Sequence, residues 1–302
     1  MRDRESTVRS RELGDALRTA MARSGLTAAE VARKLAWSQS RVSRLLSGKR
    51  GTGETSLAAV MAIIGITGPE FDRLLRVCRE ANSRGWLQHF GAGRPKQVRT
   101  LAAHEDSAVA ITDFQQVHVP ALLQTPLYAR KMMTRLGSVP AAEIDERVET
   151  LRERQRLLSR APQIRFTFYL HEFVLRLPVG GPATMSGQLH HLLRLSVRPS
   201  ISLRVIPAAA GEHAAMSGAF TLMEFADVRP VVYVERETCG LFLEERPEIA
   251  AYAAILADLA AAALSEDASR ELIGDIATEL YPAGEDPAAG KAAVPSRLGD
   301  HH

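Results

Sequence analysis

Apolar residues recur at intervals of three and four through the first 84 positions, and this spacing predicts five short amphipathic helices. The first carries Leu13, Ala16, Leu17, Ala20 and Met21 on one stripe and stops at Gly25. Thr27-Ala28-Ala29-Glu30 reads as a capping box opening the second, since each end can satisfy the other's free backbone donor. Its inner face is Ala28, Val31, Ala32 and Leu35. The third is capped by Ser38, turns Val42, Leu45 and Leu46 inward and ends at Gly48. The fourth buries Leu57, Val60, Met61 and Ile64 before Gly65. The fifth opens at Gly68-Pro69-Glu70, where proline is tolerated, and buries Phe71, Leu74, Leu75 and Cys78. Helices joined this tightly must pack on one another.

Over residues 85–99 (GWLQHFGAGRPKQVR) the period is lost while glycine, proline and positive charge collect, so a linker is expected there. Beyond it the pattern is mixed. Residues 108–117, 163–169, 201–206, 220–225 and 231–235 read as strands, the second with Ile164, Phe166 and Phe168 alternating. Residues 126–136, 141–159, 182–197, 247–264 and 265–280 read as helices. From Pro282 onward alanine, glycine, proline and charge predict a disordered tail. The expected organisation is a flexible N-terminus (1–8), a helical domain (9–84), a linker (85–99), a mixed α+β domain (100–281) and the tail (282–302).

Composition narrows the class. With 46% hydrophobic and 24% charged residues, the chain reads as a soluble globular protein. No run of 18 apolar residues predicts a membrane span, and the charged start MRDRESTVRS predicts no secretory leader. Two distant cysteines, Cys78 and Cys239, suit a reducing cytoplasm and offer no metal framework. The net charge of +3 conceals an asymmetry, because residues 1–100 hold 19 Lys+Arg against 9 Asp+Glu, leaving 19 against 26 for the rest. A basic first third is expected to meet a polyanion.

The short turn Ala36-Trp37 between helices two and three gives the arrangement of a helix-turn-helix. With Val42, Leu45 and Leu46 inward, the third helix presents Ser40, Ser43 and Arg44, flanked by Gln39 and Arg41. These five are the candidate base readers: arginine can donate twice to guanine, and glutamine can pair with adenine. Candidate phosphate contacts are Ser38 at the helix N-terminus, Lys49 and Arg50 in the loop SGKRGTG, and Arg33 and Lys34 ending helix two. The expected partner is double-stranded DNA. Trp37 is read as a core residue.

Gly25-Leu26-Thr27 through Gly48-Lys49 resembles the helix-turn-helix of the phage-repressor-like (Cro/C1, XRE) family, and 37–44 its actinobacterial branch. The resemblance implies a five-helix lambda-repressor-like domain that binds DNA as a homodimer, with the residues matching Gln39, Ser40 and Arg44 reading bases. Departures are Ala28 where the family usually has glutamine, Ala36 in place of the turn glycine, and Leu46 where an acidic residue is common. The run Val119-Pro120-Ala121-Leu122-Leu123-Gln124-Thr125-Pro126-Leu127-Tyr128-Ala129-Arg130 is similar to a signature of the actinobacterial domain DUF5753, with Ala121 where glycine is common. Further matches are Arg154-Gln155, His171-Glu172, residues 188–192, Val205-Ile206-Pro207, Gly218-Ala219-Phe220 and residues 232–235. This resemblance covers about residues 100–281 and implies an antitoxin-like or developmental regulator paired with a small protein encoded alongside it.

Three readings of the second domain stay open. As an enzyme it would use His171, Glu172, His190, His191, His213, Glu235, Glu237 or Glu244, yet no HExxH, CxxC or GxSxG motif occurs. The segment PVGGP at 178–182 reads as a turn. As an effector sensor it would line a pocket with Phe166, Phe168, Phe220, Phe225 and Tyr233. As a docking surface it would bind a second copy or a small protein, with the charged helix over 143–158 offering a seam. Protein partnering is the expectation, with no catalysis, cofactor, metal or membrane.

Overall fold

The computed structural model describes residues 7–48, 52–80, 86–89, 94–137, 139–160, 164–236 and 238–281, without the side chains of 80, 86, 89 and 94–99. In chain order the elements are α1 (Val8–Ser24), α2 (Ala28–Lys34), α3 (Gln39–Leu46), α4 (Glu54–Ile63), α5 (Gly68–Glu80), β1 (Trp86–His89) and α6 (Arg94–Ser107). There follow β2 (Ala110–Gln115), α7 (Pro126–Leu136), α8 (Ile144–Gln155), β3 (Arg165–His171), α9 (Glu172–Arg176), α10 (Pro182–Ser196) and β4 (Ile201–Ile206). The last are β5 (Phe220–Glu224), β6 (Val231–Glu235), β7 (Cys239–Leu243), α11 (Arg246–Ala262) and α12 (Glu266–Leu280). Two units hold these elements: residues 1–114, 157–167 and 212–262, and residues 115–156, 168–211 and 263–302.

In the first unit, α1 to α5 form around a core of Leu13, Leu17, Val31, Val42, Leu45, Leu57, Met61 and Leu74. Their boundaries follow the expected chemistry. Thr27 and Glu30 close the capping box that starts α2, and the Ser38 hydroxyl accepts from Arg41 N at 3.3 Å to start α3. Residues 7 and 8 belong to the fold. Thr7 caps α1 reciprocally with Ser10, and Val8 is fully buried. The expected flexible end therefore applies at most to 1–6, which lie outside the described residues, as does 282–302.

The five strands of this unit run in the order β1-β7-β6-β5-β2, every pair antiparallel. β1 falls inside the expected linker: Trp86 pairs with Phe242 and Gln88 with Gly240, and α6 begins at Arg94. Four residues between turn-forming neighbours are too short for a periodic signal, and their partner lies about 150 positions later. β7 was equally hidden, because Gly240 interrupts its apolar run. The structure explains that glycine, since a Cβ there would meet the Tyr233 hydroxyl at 2.6 Å.

The second unit contains α7 to α10, α12, residues 168–171 of β3, and β4 beside β3 in the sheet. Its best-defined feature is the segment preceding α7. Gln188, fully buried, accepts from Thr125 N and donates to Leu123 O, both at 2.7 Å. Gln155 donates to Ala121 O at 3.1 Å and Gln124 O at 2.7 Å, while Gln124 donates to Val119 O at 2.8 Å. Three glutamines thus satisfy a loop that has no ladder of its own. Arg204 likewise holds the carbonyls of Ala263 and Leu264, and Ser269 accepts from Val205 N at 2.9 Å.

Candidate nucleic-acid interface

Helix α3 is positioned by burial on one side and by its ends. Val42, Leu45 and Leu46 are buried, while Gln39, Ser40, Arg41, Ser43, Arg44 and Ser47 are exposed. All five candidate base readers therefore lie on the open face. Ala36 sits in the turn with φ 53°, the left-handed conformation that usually selects glycine, and Trp37 N closes the turn onto Ala32 O at 2.9 Å. At the other end Gly48, with φ 64°, lies so close to α1 that a Cβ would meet Arg11 Cα at 2.6 Å. The Ser10 hydroxyl donates to Gly48 O at 2.9 Å, and the Arg18 guanidinium donates to Leu46 O. Gly14 allows the approach, because a Cβ on it would stand 2.4 Å from Leu46 O. The carbonyl end of α3 is therefore capped by α1, a role that spacing alone gave no means of finding.

The arginines on this face are held by neutral groups. Arg41 lies over the Trp37 ring, 3.7 Å from its centroid, and donates to Ser56 Oγ at 3.0 Å. Trp37 is half-buried against the core, so it serves as packing residue and arginine platform together. Arg44 folds back, its Nε 3.3 Å from Ser40 O. Among the described residues no carboxylate pairs with Arg41 or Arg44, so both keep their charge for a ligand. Glu30, the acid of α2, is bound in its capping box, and its backbone bond with Thr27 lowers its pKa. Arg33 and Lys34 are exposed at the end of α2, and Ser38 is exposed at the start of α3. Lys49 and Arg50 lie outside the described residues.

Several of the acid and base groups of the later chain are occupied by structural contacts. His171 caps α9, accepting from Phe173 N at 3.1 Å. Glu172 receives Ala208 N at 2.8 Å and Arg176 at 2.6 Å. Burial raises its pKa, but these two partners together bring it below the usual value. His190 contacts Ser186 O, His213 packs edge-on against Phe114, and Glu244 accepts from Val8 N at 2.9 Å. Glu237 lies outside the described residues. Among the described residues no three His, Cys, Asp or Glu side chains are grouped to hold a metal ion, and no single helix is long and apolar enough to cross a membrane.

The rings offered as a pocket lining in the effector-sensor alternative pack within the core. Phe166, Phe168, Phe220 and Tyr233 are buried. Phe220 packs on Tyr252 at 4.7 Å and Tyr233 on Phe242 at 4.8 Å between centroids, while Phe225 lies beneath the Arg11 guanidinium. Alternation placed these rings in the core, where they fill space.

Two family models match the chain. One is described as a helix-turn-helix domain and covers residues 12–74; the other is described as a domain of unknown function, DUF5753, and covers residues 98–275. No curated protein and no solved structure gave a match.

Proposed function

Since the chain belongs to the DUF5753 family and carries a helix-turn-helix domain ahead of it, we propose that it is a sequence-specific transcriptional regulator. The observation that carries this reading is the open face of α3. Gln39, Ser40, Ser43 and Arg44 stand exposed above a buried triplet, with Arg41 pre-positioned on Trp37. On this reading α3 enters the major groove, Gln39, Ser40, Arg41, Ser43 and Arg44 read bases, and Ser38, Arg33, Lys34, Lys49 and Arg50 hold the backbone. The protein acts as a homodimer on two half-sites about one helical turn apart. Its DUF5753 domain docks a small protein partner, in the manner of antitoxin-like or developmental regulators of actinobacterial type. Occupation of His171, Glu172 and Glu244 by backbone N–H donors supports docking over catalysis.

The test is titration onto DNA from the protein's own upstream region at two salt concentrations. Arg44→Ala should lose roughly 1–3 kcal/mol and relax preference at one position. Lys49→Ala should weaken all sequences alike and flatten the salt dependence. Unchanged binding in both variants would remove α3 and its following loop as the reading surface. Co-purification from the native host should recover a small protein; a homogeneous single species would count against the docking role.

A further inference from the structure

The first turn of α1 is fixed from two sides. Towards α3, the Ser10 hydroxyl donates to Gly48 O at 2.9 Å, and a Cβ on Gly48 would collide with the Arg11 backbone. Towards the sheet, Glu244, which follows β7, accepts from Val8 N at 2.9 Å. Beside it the Arg11 guanidinium lies over the Phe225 ring, 4.7 Å from its centroid. The core of the head is drawn from residues 13–78. Val8 is fully buried yet stands outside that cluster, so this turn belongs to the seam with the sheet as much as to the head.

Val8 is the first residue of α1 after its cap Thr7, and its N–H has no acceptor within the helix. Glu244 supplies that acceptor and sets a negative charge at the positive end of the helix dipole. Burial raises the pKa of this carboxyl, with Glu245 adding to the rise, while the Val8 N–H and the charges of Arg11 and Arg9 oppose it. The acid is thus partly desolvated and directed at one turn of α1. Glu244 belongs to the DUF5753 domain, and Val8 to the helix that opens the head. We infer that Glu244 is a positioning residue for DNA binding: it locks the first turn of α1 to the sheet and, through Ser10 and Gly48, holds the carbonyl end of α3. A partner that moves the junction of β7 and α11 thereby acts on the recognition helix and on the start of the loop carrying Lys49 and Arg50. That consequence rests on the regulator reading; the lock does not.

Glu244→Ala and Val8→Pro attack the bond from its two ends. Proline lacks the donor but suits the first helical position, and Thr7 before it is already extended, with φ −120° and ψ 163°. In titrations of the full chain onto its own upstream DNA, each variant should bind about fivefold more weakly. The double variant should bind no more weakly than either single one, because both remove the same bond. Hydrogen exchange should quicken in both at residues 11–13 and 47–48, with the amides of β5 and β6 unchanged. A merely structural role for Glu244 would loosen the strands as well. Unchanged affinity in both variants, additive losses in the double variant, or exchange that quickens through the sheet would overturn the assignment. A parent that binds no DNA, with variants that still loosen 11–13 and 47–48, would remove the regulator reading and leave the lock standing.

Discussion

Ala36 shows how one side chain can be strained by an otherwise regular motif. At φ 53° its Cβ crowds the following carbonyl, a conflict that glycine lacks. The position is exposed, so nothing in its surroundings requires the methyl group. Ala36→Gly should raise stability by about 1 kcal/mol, less the greater freedom of glycine in the unfolded chain. A denaturant titration at neutral pH reads this directly, and a variant no more stable than the parent would mean the turn relaxes elsewhere. Here sequence reading worked well, because a turn between two capped helices fixes the backbone locally. It worked less well for Arg41, whose contact with Ser56 spans 15 positions and whose stacking depends on how deeply Trp37 sinks into the core.

Elements were legible in proportion to how far their stabilising contacts lay along the chain. The five helices of the head were readable because each carries its own inward stripe, and α1, α2 and α3 carry their own N-terminal caps. Strands β4 and β6 matched their apolar runs, whereas β1 exists through β7, and β7 through β1 and β6, and neither gave a separate signal. The same reason hid the meaning of the signature at 119–130. The glutamines that serve it look like polar surface in sequence, yet Gln188 reaches back 63 and 65 positions to Thr125 and Leu123. Removing that side chain leaves the buried Leu123 carbonyl and the part-buried Thr125 N–H without their partner. Gln188→Leu should therefore cost about 2–4 kcal/mol, counting one unsatisfied group after another. Gln155→Leu should cost less, because Gln155 is only half-buried and solvent can reach its partners. Thermal unfolding of both variants tests the ranking, and a reversed order would show that the loop is held by something other than these bonds.

Across the whole chain, the stretch expected as a linker at 85–99 carries β1 and the start of α6, and long-range ties run inside the first unit. Val8 N reaches Glu244, Arg11 covers Phe225, and His104 packs against both Phe225 and Phe242 at centroid distances of 6.1 and 5.5 Å. None of these pairs is near in sequence, so the head looked independent when read residue by residue. The ties make stability depend on pH. The pKa of His104 falls from 6.5 in the unfolded chain to about 4 in the fold, by burial first and by the Arg11 charge second. Between these values the unfolded state binds the proton and the folded state does not. The contribution of the neutral ring is thus complete above pH 6.5, declines as pH falls, and is exhausted near pH 4. The window corresponds to about 3 kcal/mol in all, of which roughly 2 should be lost between pH 7 and 5. Glu244 shifts the opposite way, its carboxyl raised by burial, and Arg11 stays charged with a pKa of about 10. Both remain in His104→Phe, so comparing the two proteins isolates the histidine. Denaturant titrations at pH 7 and pH 5 should show the parent losing about 2 kcal/mol more than the variant. Equal losses would mean that water reaches the ring and holds its proton equilibrium near that of the unfolded chain.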